Sequence, residues 1–216
     1  DKAYSIGGFM TQLDRTFPTN NCDLCTVSPF LSESGRNLHI ELLTMTRITH
    51  VTGEAGNFTV SLNTRPSFVD VSKCTACGEC LNEFPECVRF TPGLDHRAPT
   101  CMRYPQATPN AFSIDIDKCG DLEALVKMCR AGAIIAEDTD KLRTLKVGAI
   151  VLATGAELFN PDGLTDFGSA EFPNVVTGYD YERILSASGP TGGILVRPSD
   201  GKAPKRIAWT QRVGSR

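Results

Sequence analysis

Apolar and polar positions alternate over residues 58–62, Phe-Thr-Val-Ser-Leu, the period of a strand with one face on a core and the other in water. Short apolar runs at 40–43 and 48–51 predict two strands before it. The turn Gly53-Glu54-Ala55-Gly56 joins the second run to the alternating stretch, so residues 40–69 predict a small β-meander. Residues 146–155, Lys-Val-Gly-Ala-Ile-Val-Leu-Ala-Thr-Gly, show a different pattern: an almost unbroken apolar run that stops at glycine. That is the expectation for a strand covered on both faces of a parallel sheet. Ile207-Ala208-Trp209 predicts another buried strand. Helical signals are few: residues 9–15 before Pro18, and 179–186 inside a Gly-, Pro- and Ser-rich stretch at 156–205.

Composition changes the picture in the middle of the chain. Of nine cysteines, seven fall between Cys74 and Cys129, in a module at 70–138 interrupted by a Pro-containing stretch at 91–110. Oxidised secreted frameworks spread cysteines along a short chain. Clustering of this kind predicts thiolate ligands in a reducing compartment, and hence a cytoplasmic location. A net charge of −3 gives no reason to expect nucleic acid or an acidic membrane surface as partner. The basic residues Lys202, Lys205 and Arg206 are broken up by Pro204 and read as a solvated loop. No run approaches the ~20 apolar residues of a membrane helix, so no direct membrane span is expected. Both ends of the 216-residue chain read as cut, which predicts a piece of something longer.

Cys74-Thr-Ala-Cys77-Gly-Glu-Cys80 is the opening of the bacterial ferredoxin run C-x2-C-x2-C-x3-C-P. A tight loop must aim three thiolates at three iron corners of one cube, and Gly78 lets the backbone pass close to it. Where the fourth cysteine belongs stands Phe84, followed by the expected Pro85. In two-cluster ferredoxins the fourth cysteine of each run ligates the other cluster. A second, decayed run is visible from Cys119 to Cys129, with Leu122 and Leu125 where its middle cysteines would fall. Cys74, Cys77, Cys80 and Cys129 therefore complete one 4Fe–4S site, while the other would need Cys119, Leu122, Leu125 and Phe84. Losses confined to one site predict one cluster kept and one replaced by packing, with Cys119 an inert leftover thiol. The alternatives are zinc, a bare structural role, or Cys87 or Cys101 as fourth ligand. Cys22-Asp-Leu-Cys25 is a lone Cys-x-x-Cys whose role (redox, metal or structural) stays open. His39, His50 and His96 have no evident partner. Catalytic residues are not identifiable, and no Gly-x-Gly-x-x-Gly fingerprint is present.

The chain resembles the A subunit of heterodisulfide reductase and related subunits of the quinone-interacting membrane-bound oxidoreductase complex. The matching stretches are Gly7-Gly8 with residues 13–20 and Cys22/Cys25, the ferredoxin region, residues 147–155, residues 172–177, and residues 185–202. The resemblance implies an α/β fold: a partial two-dinucleotide-binding, thioredoxin-reductase-like FAD domain with an inserted α+β ferredoxin-like module. Residues 1–68 would form the first part of the FAD domain, 69–138 the insert, and 139–216 the second part. It also implies that Asp1 meets the FAD ribose, and that Gly7, Gly8, Thr154 and Gly155 lie beside the cofactor, the glycine-rich fingerprint falling before Asp1. The chain departs from the family in keeping one cluster rather than two. It departs again at Arg212, where the family often has a cysteine of a further cluster near the flavin. The function expected is relay of single electrons between a 4Fe–4S cluster and FAD, among other subunits of such a complex and peripheral to any membrane. The rival is a non-catalytic docking subunit whose cluster is structural or absent.

Overall fold

A computed structural model describes residues 1–16, 18–87, 107–211 and 213. The described residues gather into two compact units: 1–8, 27–87 and 107–154 in the first, 9–26 and 155–213 in the second.

The first unit holds a three-stranded antiparallel meander in the order β1 (Thr46–Glu54), β2 (Asn57–Thr64), β3 (Lys141–Val147). Its central strand carries the alternation read from the sequence, and Val60 and Leu62 are buried. The hairpin register runs from Thr46 opposite Thr64 to Glu54 opposite Asn57, with a bulge at Thr49. Gly53, at φ 103°, is fixed by close approach: a Cβ there would stand 2.2 Å from the Asn57 carbonyl oxygen.

Three expected strands differ. Residues 40–43 form no strand, because the chain around them pairs with the N-terminal residues instead. The terminal ammonium of Asp1 donates to the Leu43 carbonyl, Met45 N–H to Ala3, and Thr46 N–H to Asp1. The apolar run at 147–155 contributes only Val147 to a strand, and Val151 and Leu152 are 89% and 80% exposed. A doubly covered strand needs neighbours on both edges, and among the described residues no two strands pair in parallel. Ile207 and Trp209 are likewise more than half exposed and outside any strand.

Between β2 and β3 in sequence lies the cysteine-rich module, built from two facing halves. One carries α2 (Glu79–Glu83) and a 3-10 turn at Pro85–Cys87. The other carries a 3-10 turn at Ile116–Lys118 and α3 (Leu122–Met128). The halves are tied by backbone: Val69 bridges Ile134, Asp70 N–H donates to Ala133 (2.7 Å), and Asp115 N–H donates to Cys87 (2.6 Å). Phe68, Val69, Cys87, Phe112, Ile114, Leu125 and Ala133 make the core between them. Asp138 clamps the module's entrance: its Oδ2 accepts the Ser67 and Phe68 amides (3.1 and 3.2 Å), and Lys141 Nζ lies 2.8 Å from Oδ1. Burial disfavours that charge, but the ammonium and the two amides outweigh it and hold the carboxyl below its ordinary range.

In the second unit α4 (Gly178–Leu185) occupies the predicted helical stretch. Thr177 and Asp180 form a reciprocal capping box. The helix packs on residues 9–14: Arg183 Nη1 donates to the Gln12 carbonyl (3.3 Å), Tyr179 hydroxyl to the Gln12 side chain, and Asp14 N–H to Glu182 (3.2 Å). The predicted helix over 9–15 is only a 3-10 turn at Gly8–Thr11. The first turn of α1 (Asp23–Arg36), which begins just after Cys22, also belongs to this unit.

Candidate metal centre

The loop from Cys74 to Cys80 folds as a tight arc because two residues between its cysteines take left-handed backbone, Ala76 at φ 55° and Gly78 at φ 82°. A Cβ on Gly78 would meet nothing within 4 Å. The positive φ there is one that glycine adopts without strain. Cys80 sits in the first turn of α2. Cys129 arrives from 49 positions further on as the C-cap of α3, where its Sγ accepts the Ala133 amide at 3.4 Å.

These four side chains line one cavity of about 180 Å³, walled by Val69, Phe112, Ile114, Met128, Ala133 and Ile134. Cys74, Cys80 and Cys129 are half-buried and Cys77 is exposed. Burial, with the neighbouring Cys74 and Cys77 sulfurs, pushes the Cys80 thiol up to about 11. Thiols grouped in this way resist ionising together until a cation neutralises them. Sequence reasoning missed the rim: Glu79 and Arg130 also line the cavity, with Arg130 Nε 4.0 Å from Glu79. The signal was Arg130's place directly after Cys129.

On the far half of the core the reading of Cys119 changes. It is bonded to Cys87 in a disulfide, with Cα atoms 4.3 Å apart, rather than left as a lone thiol. The two facing 3-10 segments bring Cys87, three residues past Phe84, against Cys119. Cys87 is fully buried and does not line the cysteine cavity. Phe84, Leu122 and Leu125 pack in the same core, Leu125 fully buried. Cys101, His96 and Arg212 lie outside the described residues.

The other expected cofactor positions lie elsewhere than in the cysteine cavity. The Asp1 carboxylate accepts the Ala3 amide at 2.8 Å, Gly7 precedes and Gly8 opens the 3-10 turn, and Thr154 and Gly155 lie on exposed irregular chain. None of the five lines either described cavity. The second cavity, about 650 Å³ within the second unit, is lined by Phe159, Phe167, Tyr181, Trp209, Arg197 and Arg206 among others. Among the described residues no helix is long and apolar enough to cross a membrane.

The cysteine cavity thus lies between the two facing halves of the module in a mixed α/β chain. No family model matches the chain. Over its whole length it is 41% identical to the second iron–sulfur A subunit of the CoB–CoM heterodisulfide reductase of Methanopyrus kandleri, covering 33% of that protein. It is 36% identical to the A subunit of the H(2):CoB–CoM heterodisulfide,ferredoxin reductase of Methanothermobacter thermautotrophicus, again over 33% of that protein. A third relative, the iron–sulfur A subunit of the CoB–CoM heterodisulfide reductase of Methanocaldococcus jannaschii, is 38% identical with the same coverage. Over its whole length the chain is similar to heterodisulfide reductase A subunits, and it spans about a third of the length of the curated relatives it matches.

Proposed function

We propose that this chain holds one 4Fe–4S cluster on Cys74, Cys77, Cys80 and Cys129, and relays single electrons within a heterodisulfide reductase-like oxidoreductase. One observation carries the reading. Three cysteines from one tight loop and a fourth from the opposite half of the module line a single cavity, while the positions of a second site are packed as core. The donor set fits the cluster. A zinc ion needs four donors about 2.3 Å from one point, whereas a cubane offers a separate iron corner to each thiolate. Here the four thiols line one cavity of about 180 Å³.

When bound, the cluster supplies reversible one-electron transfer. The chain's part is to hold and shield it. Four thiolates fix its position, the Ala133 amide donates to Cys129 Sγ, and Val69, Phe112 and Ile114 keep water from its inner face. Exposed Cys77 lies toward the surface, where an electron partner would approach.

FAD enters the proposal through the resemblance alone. By that resemblance Asp1, Gly7, Gly8, Thr154 and Gly155 would be its neighbours. The domain limits 1–68, 69–138 and 139–216, a cytoplasmic location and assembly with further redox subunits, including those of a quinone-interacting complex, stand as parts of the same proposal. The exposed apolar residues Val151, Leu152, Ile207 and Trp209 fit strands of an FAD domain completed by further chain. The docking-subunit reading draws on the Cys87–Cys119 bond and the apolar core, which close the module without a cluster.

Cys129→Ala tests the ligand set, with iron, sulfide and visible absorption measured on anaerobically purified protein. Loss of the cluster, or conversion to a form with about three irons, is expected. Cys87→Ala should leave about four. Full iron in Cys129→Ala would overturn the assignment.

A further inference from the structure

At the fourth position of its two runs the module departs from the ferredoxin motif in opposite ways. Phe84 has replaced the cysteine and Pro85 is kept, whereas Cys129 is kept and Arg130 stands where the motif closes with proline. The second change puts charge where the motif has none. Apart from the cysteines, Arg130 and Glu79 are the two charged residues among the described residues that line the cysteine cavity. Each adjoins a ligand in sequence, Glu79 just before Cys80 on α2 and Arg130 just after Cys129 at the end of α3, so one charge comes from each half of the module. The wall behind them is apolar, made by Val69, Phe112, Ile114, Met128 and Ile134. Such a wall screens charge poorly, so the field of a group at the mouth reaches into the cavity. The ion pair itself is long and wet: Arg130 Nε stands 4.0 Å from Glu79 Oε2, and the two side chains are 88% and 42% exposed. A pair of that length lies beyond hydrogen-bond distance and contributes little to stability. The backbone ties and the core hold the halves together, which leaves the field of the guanidinium as what the arginine adds.

We infer that Arg130 sets the redox poise of the cysteine site, its positive charge favouring the reduced state, with Glu79 as the opposing charge. The inference rests on the cluster reading above and gives a role to two residues that are not ligands. Four thiolates bring negative charge to the cavity, and each electron accepted there adds one negative charge more. A fixed cation at the mouth lowers the free energy of the more negative state and raises the reduction potential, and a fixed anion does the opposite. Net charge is among the quantities that set the potential of such sites. Arginine suits the task because its guanidinium stays charged throughout the working pH range. Exposure limits the size of the effect. At a water-like dielectric, removing the charge should change the reduction equilibrium about threefold; at 59 mV per tenfold for one electron, that is about 28 mV.

The test uses the whole chain, purified anaerobically. Iron and sulfide are measured first, and the midpoint potential is then read by mediated dithionite titration followed by electron paramagnetic resonance. Arg130→Gln should keep about four irons and shift the reduction equilibrium about threefold toward the oxidised state. Glu79→Gln should shift it the other way by a similar factor. Arg130→Lys, which keeps the charge, should restore most of the wild-type value. Raising salt to about 1 M, where the Debye length is about 3 Å, should narrow the gap between wild type and Arg130→Gln. A gap that ignores salt and is not rescued by lysine would mark a structural role and overturn the inference. Equal potentials in wild type and Arg130→Gln, or shifts of the same sign in Arg130→Gln and Glu79→Gln, would overturn it while leaving the cluster assignment standing. Loss of iron from Arg130→Gln would make the arginine a support for the ligands and overturn it too. Absence of a cluster from the wild type would overturn the cluster reading and this inference with it.

Discussion

Leu125→Ala probes the claim that the second cluster position has become hydrophobic core. Leu125 is fully buried against Phe68, Val69, Phe112, Ile114 and Ala133. Truncation removes three carbons' worth of burial, about 2.4 kcal/mol at ~0.8 per methylene. It also leaves a cavity that the surrounding aromatic and β-branched side chains close only in part. The total expected is about 3–4 kcal/mol, inside the usual range for such changes. For a unit of this size that corresponds to a fall of about 10 °C in midpoint. Leu122→Ala, at a partly buried position of the same helix, should cost about 1 kcal/mol. The assay is urea unfolding followed by far-ultraviolet circular dichroism, with hydrogen exchange at residues 122–134 locating the loss in the module. A cost below about 1 kcal/mol for Leu125→Ala would refute the packing argument. So would a gain of iron, since the site would then be an emptied metal position rather than core.

Two further outcomes follow from the same geometry. Asp138 has a folded-state pKa below its ordinary 3.8, so its contribution is complete above that value and is lost as pH falls through the depressed folded value. Wild-type stability should exceed that of Asp138→Asn by about 2–3 kcal/mol at neutral pH, and the two pH–stability curves should converge on acidification; parallel curves down to pH 2 would contradict the clamp. The 216-residue chain should bind FAD weakly, because it carries no Gly-x-Gly-x-x-Gly fingerprint to cradle the pyrophosphate; isolation with stoichiometric flavin would contradict that.

How much of this was legible beforehand differs by element. Strand β2 and the Gly53–Gly56 turn could be read because alternation and turn chemistry are local signals. The ferredoxin spacing was equally local, and the use of Cys129 followed from cross-ligation rather than proximity; both cysteine groups line one cavity. Residues 147–155 read as a buried strand because periodicity registers only that a segment is apolar, while pairing depends on neighbouring chain that a single segment does not carry. Strand β3 (Lys141–Val147) was missed for the complementary reason: its register against β2 spans some 80 residues, and its own alternation is weak. The Cys87–Cys119 pairing was hidden because neither cysteine has motif spacing to the other; only the facing of the two halves brings them together. The helix-cap position of Cys22 was unreadable until the start of α1 was fixed at Asp23.

The central claim is a single cluster on four named cysteines, and the most direct measurement is iron, acid-labile sulfide and zinc on the anaerobically reconstituted chain, with electron paramagnetic resonance after reduction. The account predicts about four irons and four sulfides per chain and one reduced-cluster signal. Near eight irons, or one tightly held zinc with no sulfide, would contradict it.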